Sequence, residues 1–116
     1  MEELEDFAER LRADVEARCG CQVHKKVLSN GGYHLYNPMV FAYIRRVIYG
    51  RVAPDRCFPI QAEEKYAIKA GVADLANRHD DNGWWNEPAT YWDVLESDHQ
   101  SYNRAVRALS KICQVR

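Results

Sequence analysis

The chain has 116 residues, of which 47% are hydrophobic and 28% are charged. This length is close to the commonest size of one domain, and this composition excludes a chain too polar to form a core. The net charge of −1 is also unlike that of a uniformly basic nucleic-acid-binding protein. We therefore expect a single globular domain over residues 1–116.

The sequence contains no stretch near the roughly 18 apolar residues that a membrane-spanning helix needs. Its acidic start, Met1-Glu2-Glu3, is unlike the basic start of a signal peptide. Four cysteines are present, at Cys19, Cys21, Cys57 and Cys113. They lack the density of a secreted disulfide framework and the two spaced ligand pairs of a structural zinc site. We expect a cytoplasmic protein with reduced thiols, no metal and no cofactor.

The charges are segregated along the chain. Residues 1–20, 21–56, 57–103 and 104–116 carry net charges of −4, +5, −6 and +4. Such alternation predicts either packing of acidic against basic segments or a surface with distinct acidic and basic sides.

The first elements have clear local signals. Leu4, Phe7, Leu11 and Val15 follow a helical spacing that predicts a helix over about residues 2–19, ended by Gly20. The apolar runs on either side of Asn30-Gly31-Gly32 predict a β-hairpin. A turn at Asn30-Gly31 would pair Leu28 with Tyr33, whereas a turn at Gly31-Gly32 would pair Leu28 with Leu35, which gives the better apolar contacts.

The remaining segments suggest further helices. Asn37-Pro38 resembles a helix start, and the apolar run that follows predicts a buried central helix from Pro38 to Tyr49. Prolines predict a loop over 51–60, small and apolar residues predict a helix over 61–78, and 79–88 is predicted to be a loop. Thr90 and Asp93 suggest a capped last helix to about Cys113, with a break near Ser97-Asp98 as an alternative. The predicted fold is α+β and mainly helical, in the order α-β-β-α-α-α, with one hairpin packed on helices.

The loop over 79–88 is the leading candidate for a functional surface. It combines tryptophans, which bury large areas at low rotamer cost, with carboxylates that would attract a basic partner. The tryptophans either cover the core or anchor a partner, and neighbouring indoles in an extended segment would point different ways. The predicted partner-binding residues are Asp80, Asp81, Trp84, Trp85 and Glu87.

Two other functions have some support in the sequence. A basic block interleaved with tyrosines could hold phosphates and stack bases, which would make the protein a nucleic-acid-binding domain; its residues are Lys25, Lys26, Arg45, Arg46, Arg51 and Arg56. The pair His79-Asp80 resembles the paired metal ligands of HD-type phosphohydrolases, although the dipeptide alone carries little information.

None of the common catalytic motifs is present: the sequence has no glycine-rich phosphate loop, His-Glu-x-x-His, Cys-x-x-Cys or nucleophile elbow. We therefore expect a non-enzymatic protein-interaction module that acts by occupying a partner's surface. By analogy of size and charge alone, inhibitors of the immunity-protein or phage anti-CRISPR kind are examples of this class.

Overall fold

The computed structural model describes residues 2–49 and 55–115, with only the backbone at 47–49 and 55–56. Three helices cover one face of an antiparallel sheet. The elements in chain order are α1 (Leu4–Cys19), β1 (His24–Val27), β2 (Tyr33–Tyr36), β3 (Val40–Ile44), β4 (Val47–Tyr49), β5 (Asp55–Glu63), α2 (Glu64–Lys69), a 3₁₀ turn (Ala73–Leu75), β6 (Arg78–Trp84), β7 (Glu87–Leu95) and α3 (His99–Val115). None of the described helices is long and apolar enough to cross a membrane.

The sheet has the spatial order β1-β2-β3-β5-β7-β6, with β4 also paired to β5. Tyr43 of β3 pairs with Gln61, and Val47 of β4 pairs with Cys57, so β3 and β4 keep one register along β5. The break between them lies opposite Pro59, whose carbonyl accepts the backbone N–H of Arg45 at 3.4 Å. Because proline has no backbone N–H, it cannot donate the second hydrogen bond of this pair to Arg45, and the ladder is interrupted there.

The mainly helical prediction is wrong, and the segment from Pro38 to Tyr49 shows why. It forms β3 and β4 instead of a central helix. A short, continuously apolar run fits a buried helix or a buried strand equally well. Here the β-branched and aromatic side chains favour the strand, and Phe41, Ala42 and Ile44 are fully buried in it.

The predicted loops and helices after residue 50 also need correction. Residues 51–54 lie outside the described part of the chain, but 55–63 form the strand β5 and not a loop. The helix predicted over 61–78 is restricted to α2, because Gly71 adopts φ +75° and ends it. The loop predicted over 79–88 is the hairpin of β6 and β7, joined at Trp85-Asn86.

Other predictions are confirmed. Helix α1 buries Phe7, Leu11 and Val15, and Gly20 at φ 72° ends it. The first hairpin forms, but with neither expected turn. Val27 pairs with Tyr33, and the Leu28 N–H donates to the Gly32 carbonyl at 2.8 Å, which leaves a three-residue loop, Ser29-Asn30-Gly31, with Gly31 at φ 86°.

The C-terminal helix begins at the alternative break near Ser97-Asp98. Asp98 caps α3 by accepting the N–H of Gln100 at 3.0 Å. Residues 90–95, predicted to be the start of that helix, belong to β7. Their alternation places Thr90, Trp92 and Val94 in the core beneath the helices.

The main core lies between the helices and the sheet. Phe7 of α1 stacks on Phe58 of β5 with ring centroids 4.2 Å apart, and Ile60, Trp92 and Leu109 are fully buried in the same cluster. The acidic N-terminal segment also meets the basic block, which is one of the two arrangements that the charge pattern predicts. Glu9 of α1 contacts Lys25 at 3.0 Å, and Glu3, immediately before α1, contacts Arg46 at 3.8 Å.

Candidate aromatic cleft

The sheet face opposite the main core carries its own row of side chains. The strand registers place His34, Tyr43, Gln61 and Tyr91 side by side on β2, β3, β5 and β7. Adjacent residues of each strand, such as Leu35 and Ile60, point to the helices and are buried there. The row therefore forms the floor of a second surface that the helices do not cover.

The β6–β7 hairpin curls over this floor. Its register shifts between Asp80 and Trp84, so β6 carries extra residues relative to β7 and bends. The Gln61 side chain donates a hydrogen bond to the carbonyl of Gly83 and so ties the hairpin tip to the floor. A Cβ on Gly83 would lie 2.9 Å from that of Ala89, so only glycine permits this close approach.

A cleft of about 490 Å³ lies between this hairpin tip and the turn of the first hairpin. This volume is within the range of ligand-binding clefts, about 300–1,000 Å³. We call it the aromatic cleft, and it is lined by Leu28, Ser29, Asn30, His34, Tyr43, Gln61, Gly83, Trp84 and Trp85. Asn30 holds its rim by accepting the N–H of Gly32 at 2.9 Å and donating to the Tyr43 hydroxyl at 3.1 Å.

The two neighbouring tryptophans have different surroundings. Trp84 is 6% exposed and packs with Ala89 and Tyr91 in a small second core, whereas Trp85 is 68% exposed. The expectation that the two indoles point different ways is therefore confirmed: Trp84 is buried in the second core, and Trp85 is accessible to a partner.

Four aromatic rings follow one another edge-to-face along the cleft. Trp84 and Trp85 have centroids 5.0 Å apart and planes at 81°. Trp85 meets His34 at 5.7 Å and 71°, and His34 meets Tyr43 at 5.8 Å and 74°. Because such pairs are favourable, the exposed ring of Trp85 has a defined position against the floor.

The backbone at Trp85 is unusual for a bulky residue. Trp85 and Asn86 have φ of 45° and 67°, as a two-residue type I′ hairpin turn requires. Asparagine and glycine adopt this conformation easily, but a tryptophan there costs on the order of 1 kcal/mol. The turn conformation places the indole at the exposed hairpin tip.

The electrostatics of the cleft are simple. None of the described residues that line it carries a carboxylate, an ammonium or a guanidinium group. Burial, and then the nearby charge of Lys26, lowers the pKa of His34 below its ordinary 6.5, so the ring is neutral at pH 7. The cleft therefore offers uncharged aromatic faces and a few amide and hydroxyl groups.

The predicted site residues are only partly brought together. Trp84 and Trp85 line the cleft, while Asp80, Asp81 and Glu87 are exposed on the same hairpin outside it. His34, Tyr43, Gln61 and Asn30 were not predicted as site residues. The alternation in Tyr33-His34-Leu35-Tyr36 could have placed His34 on the polar face of a strand, but nothing local indicates Tyr43 or Gln61.

Only part of the basic block can be placed, and two of its placed residues are ion-paired. Lys25 is paired with Glu9 of α1 and Arg46 with Glu3, the residue before α1, while Lys26 and Arg45 are exposed. Arg51 lies outside the described residues, as does the side chain of Arg56. A continuous phosphate-binding face is therefore not supported by the part of the block that can be placed.

The pair His79-Asp80 is split by the strand it lies in. His79 pairs with Thr90 and Asp80 with Ala89, so the two side chains point to opposite faces of β6. His79 Nδ1 contacts Glu64 Oε1 at 2.6 Å. Within 2–49 and 55–115, no group of three or more histidine, cysteine or acidic side chains is arranged to hold a metal ion.

Three cysteines lie where α1 and α3 end. Cys19 Sγ is 3.9 Å from Cys113 Sγ, and Cys21 adjoins them. Burial raises the pKa of Cys113 to about 11, which makes its thiol unreactive at neutral pH. Cys57 and Cys113 are buried, as expected of small apolar residues.

Comparison of the chain with protein-family models, with curated proteins and with solved structures finds no match, and nothing in these comparisons indicates a catalytic family.

Proposed function

We propose that the protein is a small protein-interaction module that binds its partner at the aromatic cleft, with Trp85 as the anchor. The observation that carries this proposal is the exposed, strained Trp85, which lies edge-on to Trp84 and His34. Proteins keep backbone strain mainly where function uses it. A tryptophan at a hairpin tip is well suited to be the central contact of an interface.

The charge around the cleft favours a basic partner. Asp80, Asp81 and Glu87 are exposed on the hairpin that carries Trp85. Carboxylates beside an aromatic anchor speed the approach of a positively charged surface, and salt screens this effect. Reversing Asp80 and Asp81 to lysine should therefore slow association at low salt and change it little at high salt.

The test uses Trp85→Asn and a matched control. Asparagine tolerates the left-handed conformation, so this change removes the indole and relieves the strain together. The melting temperature should stay the same or rise slightly, while the partner is lost. Removing a central interface tryptophan costs about 2 kcal/mol or more, or about 30-fold in affinity.

The control is Leu75→Asn, which removes an apolar side chain that is 53% exposed on the 3₁₀ turn and does not line the cleft. Each variant would be used as bait in an extract of the source organism, with mass spectrometry of captured proteins. The proposal expects a partner that wild type and Leu75→Asn retain and Trp85→Asn loses. Equal capture by folded Trp85→Asn would contradict it.

A further inference from the structure

We propose that the aromatic cleft binds a methylated ammonium group, presented on a lysine side chain of the partner protein. This inference rests on the proposed function and gives the chemistry of the group that enters the cleft.

The first argument is the arrangement of rings. Trp84, Trp85, His34 and Tyr43 all line the aromatic cleft, and successive rings lie at 81°, 71° and 74° to one another. The negative face of an aromatic ring attracts a cation, most strongly for tryptophan. Quaternary ammonium groups are recognised in sites built from several aromatic rings.

The second argument is the absence of charge among the lining residues. A phosphate or carboxylate would find no cationic group there, and an unmodified lysine would find no carboxylate. The unmodified ammonium has three strong donors, and the cleft offers them only the few amide and hydroxyl oxygens of its lining, so burying this group there is unfavourable. Methylation removes donors but keeps the charge, so a trimethylated ammonium is the cation best suited to these walls.

The third argument is the charge outside the cleft. Asp80, Asp81 and Glu87 lie on the hairpin that forms one wall, and they would attract the basic segment in which a methylated lysine occurs. Among the described residues, three cations lie near the floor: Lys26 opposite His34 in the β1–β2 register, Arg45 near Tyr43, and Arg78, which pairs with Asp93 and has its guanidinium 4.3 Å from the centre of the Tyr91 ring. The three exposed carboxylates lie on the hairpin that carries Trp85, so an approaching lysine meets them at that ring.

The experiment compares one short lysine peptide in four forms by isothermal titration calorimetry. The lysine is unmodified, dimethylated, trimethylated, or replaced by the neutral analogue in which carbon takes the place of the trimethylated nitrogen. We expect affinity to rise with methylation and the neutral analogue to bind about tenfold more weakly than the trimethylated form, since a cation–π contribution is worth about 1–2 kcal/mol. Trp85→Asn should abolish binding of the trimethylated peptide, and Leu75→Asn should not change it.

Several outcomes would overturn the proposal. If the neutral analogue binds as tightly as the trimethylated peptide, the cleft recognises apolar groups and not a cation. If the unmodified peptide binds as tightly as the trimethylated one, the cleft does not recognise methylation. Tighter binding of a proline-rich peptide would assign the cleft to another ligand class. Free choline is a further arm: if it binds as tightly as the trimethylated peptide, the group comes from a small molecule and not from a partner lysine.

A pH series gives a second readout. The titratable groups facing His34 are Lys26 on β1 and Tyr43 on β3. Because the His34 pKa lies below 6.5, affinity for the trimethylated peptide should be constant above that pH. It should fall as the ring protonates at lower pH and repels the cation. His34→Gln should remove this fall, and an unchanged acid profile in His34→Gln would contradict the placement of the cation beside that ring.

The two proposals can fail separately. If Trp85→Asn loses the natural partner but none of the four peptides is distinguished, the interaction surface stands and the ammonium chemistry is wrong. If the trimethylated peptide binds but the natural partner is retained by Trp85→Asn, the cleft binds the group and the partner binds elsewhere.

Discussion

Replacing Trp92 by alanine is expected to remove about 3–5 kcal/mol from the free energy of unfolding. Trp92 is 1% exposed and is the largest fully buried side chain among the described residues. It lies on β7 opposite Ile60 of β5, in the middle of the sheet and beneath the helices. Because a domain of this size has about 5–15 kcal/mol in total, the variant should unfold at a much lower urea concentration, measured by circular dichroism.

Trp92→Phe is the informative second variant. The Nε1–H of Trp92 is buried and finds no hydrogen-bond partner within the described part of the chain, so the tryptophan carries a desolvation cost that phenylalanine lacks. We expect this variant to lose less than half as much stability as Trp92→Ala. An equal loss in both would mean that indole shape, and not buried area, determines packing at this position.

The parts of the fold with local signals could be predicted from the sequence. Helix α1 has a regular apolar spacing, an acidic first turn and a terminal glycine, all within one segment. The first hairpin has Asn30 and Gly31 at its turn, and α3 has its apolar stripe from Tyr102 to Cys113. In these segments local preference and tertiary packing agree.

The strands were missed where a strand depends on its neighbours. Residues 79–83 of β6 are His-Asp-Asp-Asn-Gly, whose intrinsic preference for a strand is poor; pairing with β7 makes them one. Pro59 predicts a loop, yet it lies inside β5 because the adjacent strand is interrupted opposite it. The sequence around β6 does not reveal its pairing with β7, and the sequence around Pro59 does not reveal the interrupted strand opposite it.

The candidate site was half predicted for the same reason. Trp84 and Trp85 stand out in the sequence because paired tryptophans in a polar segment are uncommon. His34, Tyr43 and Gln61 meet them only because β2, β3 and β5 are neighbours in the sheet and the β6–β7 hairpin curls over. The sequence predicts that the two indoles point different ways but not which of them is exposed; that depends on the type I′ turn, which begins immediately after Trp84 and leaves Trp84 buried.

The curl of that hairpin should depend on Gly83. In Gly83→Ala, the added methyl group would lie 2.8 Å from the Tyr91 hydroxyl and 2.9 Å from Ala89 Cβ. Both distances are shorter than packed side chains allow, and such overpacking costs about 1–3 kcal/mol. Because these two neighbours lie on β7, relieving the overlap moves the Gly83 end of β6 away from β7. We expect this movement to break the hydrogen bond from Gln61 to the Gly83 carbonyl and to shift the adjoining Trp85 away from His34. Gly83→Ala should therefore lose binding of the trimethylated peptide by about tenfold or more, since most of the contact to Trp85 is lost.

The matched control is Gly71→Ala. Gly71 has φ +75° with no atom within 4 Å of an added Cβ, so its replacement costs about 1–2 kcal/mol through backbone strain alone. It ends α2 and does not line the aromatic cleft. The two variants should thus lose similar stability in urea unfolding, while only Gly83→Ala loses the peptide in calorimetry. Equal, undiminished binding by both would show that the cleft does not require the hairpin to lie against Tyr91, and parallel loss in both would trace binding to global stability and not to the position of Trp85.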